Sequence, residues 1–161
     1  MYDHPMYREP HSQFFLSNEQ MPNAVAAIEE RLAAAKDVYL ARVVQSLHAA
    51  QDVEVKLRIL FQLGAMRLGF ADNGIQAIDF LETKSGFSGE ESVRLLILRA
   101  IAPFAASEST LVFHGPGNRL WRYFFYEGKL YRQNALIIWP EVSNDQNVME
   151  DDDQPGRWYY G

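Results

Sequence analysis

Four histidines, two adjacent glutamate pairs and a cluster of cations set among aromatics are the residues of this 161-residue chain that could do chemistry. His4 and His11 lie in a Pro-bearing N-terminal stretch, His48 near the end of a helical pattern and His114 at the end of a β-like run. None forms an H-x-x-x-H or H-E-x-x-H pair, so a metal site would need ligands converging from unrelated segments. Glu29-Glu30 and Glu90-Glu91 are neighbours on helical patterns. Neighbouring positions do not face one another there, so neither pair makes a carboxylate dyad. With no cysteine, thiolate catalysis, Cys-ligated zinc and disulfides are excluded. G-x-S-x-G, G-x-x-x-x-G-K and G-x-G-x-x-G are missing as well. In His114-Gly-Pro-Gly117, Pro116 removes one of the N–H groups an anion cradle would need. No catalytic residue, metal or cofactor is assigned, and the expectation is a non-enzymatic protein.

The distinctive chemistry lies in residues 119–134. Four bases (Arg119, Arg122, Lys129, Arg132) alternate there with Trp121, Tyr123, Phe124, Phe125, Tyr126 and Tyr131. Tyr, Trp and Arg are the side chains enriched at binding hot spots. Arginine also outnumbers lysine 11 to 4 over the chain, which suits interfaces and planar partners. The expected partner-binding residues are Arg119, Trp121, Arg122, Tyr123, Tyr126, Tyr131 and Arg132, joined by Trp158 from the C-terminal segment. The partner is expected to be another protein, with this chain acting as an adaptor, inhibitor or immunity protein, or chaperone. The alternative is a nucleic-acid-contacting regulator, since aromatics among cations also suit stacked single strands. It would use the hairpin or a degenerate helix-turn-helix across 78–96. Four cations are a thin footprint for a polyanion. Glu90-Glu91 at the start of the second helix would also face phosphates.

A strand pair must position these residues. Leu120–Tyr126 and Lys129–Trp139 flank Glu127-Gly128, which predicts a hairpin. A two-residue turn pairs Phe124 with Tyr131, Tyr123 with Arg132 and Trp121 with Asn134. Trp121, Tyr123 and Phe125 then share one face; Leu120, Arg122, Phe124 and Tyr126 share the other. Thr110–His114 reads as a third strand.

Upstream the pattern is helical. Pro22 suits a first turn. Val25, Ile28, Leu32, Ala35 and Tyr39, continued by Val43 and Leu47, recur at spacings of three and four. This is one long helix to about residue 50, or two with a break near Lys36-Asp37. A seam of that length also suggests a homodimer. Asp52 is a candidate N-cap for a helix through Leu68, closed by Gly69. Ile75, Ile78 and Leu81 predict a shorter helix. Ser88 and Glu91 form a capping box for a largely apolar helix, with Pro103 near its end. The expected fold is α+β and mostly helical, with four or five helices and a small C-terminal antiparallel sheet.

Composition supports a single core: 48% of residues are hydrophobic and the mass is 18.5 kDa. Residues 1–16 read as an extended arm, 17–140 as one domain and 141–161 as an acidic tail with aromatics. The net charge is −6, and residues 141–153 carry six acids and no base. The rest of the chain is therefore neutral. That segment has little to bury and is expected to be disordered when free. No run approaches the 18 apolar residues of a membrane span, and no secretory leader is visible, so the expected location is cytoplasmic.

Overall fold

The computed structural model describes residues 7–8, 13–49, 52–81, 88–115 and 119–135. Expectations that fall on His4, His11, the 86–87 turn, the acidic tail and Trp158 lie outside these residues. So does the stretch of the last predicted strand beyond Ala135.

Among the described residues, four α-helices and two antiparallel sheets form a mixed α+β fold. α1 (Met21–Ala34) opens with Pro22 in its first turn. The chain breaks at Lys36, which takes a left-handed φ of 56°. Asp37 then caps α2 (Val38–Leu47), its Oδ1 accepting the backbone N–H groups of Tyr39 and Leu40 at 2.8 and 3.2 Å. The break resets the helical phase. Val25, Ile28 and Leu32 are buried in α1, but α2 buries Leu40, Val44 and Leu47 and leaves Tyr39 67% exposed. The α1 seam packs on the other helices of the same chain, which removes the ground it gave for self-association.

α3 (Val53–Leu63) starts at Asp52, whose carboxylate accepts the Glu54 N–H at 2.9 Å. It ends at Gly64, not at Gly69. Ala65 follows with φ 54°, and the chain turns directly into β3 (Met66–Ala71) and β4 (Gly74–Phe80). The helix expected over residues 75–81 is thus a strand. Its misleading spacing has a local cause. Phe70 pairs with Ile75 and Gly69 with Ala77, so Gln76 is an extra residue in the ladder. A bulge of this kind shifts the alternation by one. Ile75 and Ile78 both turn inward, three residues apart as on a helix. With residues 74–80 in a sheet, a helix-turn-helix over 78–96 has no first helix.

β4 is the middle strand of this sheet, because β2 (Leu16–Ser17) pairs along its other edge. Gly74 permits that pairing: its φ is 155°, and a Cβ there would collide with the Leu16 carbonyl. Phe14 and Leu16 are core residues. The end of the expected arm is therefore built into the folded body, and Phe14 offers no surface.

α4 (Ser88–Ile101) stops just ahead of Pro103. The second sheet orders its strands β1 (Tyr7–Arg8), β5 (Thr110–Gly115), β6 (Arg119–Tyr126) and β7 (Lys129–Asn134). One continuous core joins helices and sheets. Within it the Phe80 ring stacks on Phe113 of β5, with centroids 4.0 Å apart and planes 21° apart. The Arg94 guanidinium of α4 lies 4.1 Å from the same centroid. Two groups that close to one ring must occupy its two faces. Arg94 is itself buried, and its Nε–H donates to the Gly64 carbonyl at 2.9 Å, capping the C-terminal end of α3.

Phe80→Ala should therefore lower unfolding free energy by about 3–5 kcal/mol. Arg94→Met should cost about 1–3 kcal/mol by leaving a buried carbonyl without this donor. Urea denaturation followed by circular dichroism measures both.

Candidate interaction surface

The β6–β7 hairpin is built on a turn with two left-handed residues, Glu127 at φ 48° and Gly128 at φ 78°. Positive φ at both positions is the geometry of a type I′ turn, whose twist matches the strands it joins. The resulting register pairs Phe124 with Tyr131, Tyr123 with Arg132 and Trp121 with Asn134, as the two-residue spacing predicts.

The two faces differ sharply in use. On the inner face Tyr123 and Phe125 are buried, together with Leu111 and Phe113 of β5. Trp121 is half-buried at the margin, 4.8 Å from Phe113 between ring centroids. Tyr123 is only 3% exposed and leaves the set of candidate contacts, because touching it would require opening the core. The outer face carries Arg122, Phe124 and Tyr126 along β6, opposite Gln133, Tyr131 and Lys129 of β7.

These outer side chains form an ordered row. Arg122 lies over the Phe124 ring at 5.1 Å, and Phe124 stacks on Tyr126 with centroids 5.7 Å apart and planes 12° apart. Arg122 Nε–H donates to Gln133 Oε1 at 2.7 Å, which fixes the guanidinium across the two strands. Tyr126 is 40% exposed and Tyr131 44% exposed. Arg132 lies on the inner side of β7 but at its rim, where it is exposed and stacks 4.8 Å from the Trp121 ring. An open groove of about 620 Å³ at the far end of the hairpin is lined by Val112, Leu120, Arg122 and Gln133 among others.

Of the expected partner residues, the structure brings Arg122, Tyr126 and Tyr131 to one exposed face, with Arg132 and Trp121 at its edge. Arg119 begins β6. Sequence reasoning left out Phe124 and Lys129. Their signal was available, since strict alternation from Arg122 puts Phe124 on its face and the turn pairs Lys129 with Tyr126. Elsewhere, no group of three or more His, Asp or Glu among the described residues could hold a metal ion. No helix among them is long and apolar enough to cross a membrane. Neither a protein-family model, nor a curated protein, nor a solved structure matches this chain.

The turn itself is testable. A Cβ at Gly128 would meet only ordinary contact with Pro103, at 3.6 Å, so Gly128→Ala should cost about 1–2 kcal/mol from left-handed backbone alone. Glu127→Asn, which creates the preferred Asn-Gly turn, should raise stability by about 0.5–1 kcal/mol. Thermal unfolding reads both signs.

Proposed function

We propose that this chain is a small, non-enzymatic, cytoplasmic binding protein that engages another protein through the outer face of the β6–β7 hairpin. The observation that supports this reading is the row Arg122–Phe124–Tyr126, in which exposed Arg122 and Tyr126 stack on half-buried Phe124, with exposed Tyr131 across from it. Rigid aromatics lose little conformational entropy when they are covered, so a pre-stacked row binds at low ordering cost. Tyrosines also keep a polar tip that can bond across an interface. The role is that of an adaptor, inhibitor or chaperone, for which a presented surface is the whole of the chemistry.

A tagged full-length chain recovered from its host with bound proteins, identified by mass spectrometry, supplies the partner for a direct binding assay. In that assay Tyr126→Ala and Tyr131→Ala should each weaken binding by about 2 kcal/mol, roughly 30-fold. Tyr39→Ala, on the exposed side of α2, should leave it unchanged. Circular dichroism must first show that each variant is folded. Parental affinity in both hairpin variants would place the surface elsewhere. Affinity that falls by orders of magnitude as salt rises, with nucleic acid recovered in the complex, would favour the nucleic-acid reading instead.

A further inference from the structure

The proposed binding face also has a chemistry that specifies its occupant. Residues 119–134 hold four bases and one acid, Glu127. Glu127 sits in the turn, and Glu108, whose N–H donates to the Phe125 carbonyl at 2.7 Å, joins the sheet beside β6. Arg122 is fixed between the strands and Lys129 lies across from Tyr126, both on the outer face, while Arg132 lies on the inner side of β7, exposed at the sheet edge. Among the described residues β7 is the edge of its sheet, and five of its six residues are exposed. An acidic, extended segment complements this surface. A second copy complements it less well, because edge-to-edge pairing would set two cation-bearing β7 strands side by side. Cations placed on a sheet edge discourage that pairing.

We infer that the occupant is this chain's own segment 141–160, so that the outer hairpin face is covered in cis by a displaceable acidic strap. The inference rests on the proposed function, since it concerns the same face. Residues 141–153 supply six carboxylates without one base, and Trp158, Tyr159 and Tyr160 follow. Charge and aromatic content both match the face: carboxylates for Arg122 and Lys129, and for Arg132 at the adjoining sheet edge, rings for the Phe124, Tyr126 and Tyr131 surface. Connectivity permits it. From Asn134, the end of β7, sixteen residues lead to Glu150, and a chain of that length with coil statistics spans roughly 20–24 Å. β7 itself, at about 3.4 Å per residue, is no longer than roughly 20 Å. Surface ion pairs are individually weak, and salt screens them. The aromatics supply the contact that persists, and a partner that presents more of the same chemistry displaces the strap.

The chain has no cysteine, so a single Gln154→Cys substitution in the full-length protein accepts one nitroxide label cleanly. Amide signals of Arg122–Tyr126 and Lys129–Arg132 should broaden, while those of α1 and α2 stay sharp. The broadening should weaken at 1 M salt, where the Debye length falls to about 3 Å. It should also weaken in the variant that combines Asp151→Asn, Asp152→Asn and Asp153→Asn, and in Arg122→Ala/Lys129→Ala. Uniform broadening over the whole surface, or a pattern indifferent to both charge-removing variants, would overturn the inference. Broadening of the same signals in isotope-labelled chain that carries no nitroxide, when it is mixed with nitroxide-labelled chain lacking the isotope, would also overturn it, by assigning the contact to a second copy. Loss of the strap contact leaves the effect of Tyr126→Ala and Tyr131→Ala on partner binding untouched, so the two readings fail separately.

Discussion

The Phe80 ring, held between the Arg94 guanidinium and the Phe113 ring, is the contact on which the rest of the molecule depends. It joins three units within one continuous core. Phe80 ends the β3–β4 hairpin, Phe113 belongs to the larger sheet, and Arg94 comes from α4. A cation over an aromatic face gains strength when both are out of water, and Arg94 is buried. The same side chain bonds through Nε to the carbonyl of Gly64, the residue that caps α3. A buried guanidinium requires oriented acceptors, so it admits few arrangements of its neighbours. Arg94 thereby fixes where α3 stops and where β3 begins.

Once the larger sheet is anchored through Phe113, the roles of its two faces follow. Leu111, Phe113, Tyr123 and Phe125 are used up in the core. The alternating residues of β6 and β7 are left outside, and the ones encoded there are aromatic and cationic. A surface row of this type destabilises nothing if it stacks on itself, as Arg122, Phe124 and Tyr126 do. The proposed binding face is thus the reverse side of the core strand pair, with packed core residues beneath it.

The hairpin was legible because its information is local. A two-residue turn fixes register, and register fixes which residues share a face. Asp52, Pro22 and the break at Lys36-Asp37 were legible for the same reason: caps and first turns depend on adjacent residues. The β3–β4 hairpin was not. Leu60, Phe61 and Leu68 extend a helical stripe on paper, and the extra residue at Gln76 gives Ile75 and Ile78 a helical spacing within a strand. Periodicity cannot separate a bulged strand from a short helix. The decision came from Gly64 and left-handed Ala65, which stop α3, and from β2, which needs β4 as its partner.

The sequence by itself determined the α+β class, the hairpin register, the division of its residues between two faces and the separation of charge between a basic hairpin and an acidic segment. These depend on spacing and composition within a few residues or on simple sums. Only the tertiary structure decided which face of the hairpin is core. Both faces are aromatic, so hydrophobicity could not rank them. It was settled by Phe80 and Phe14, which reach Phe113 and Phe125 from elements about thirty and more than a hundred residues away in the chain. Contacts between segments so distant in sequence leave no local pattern to read.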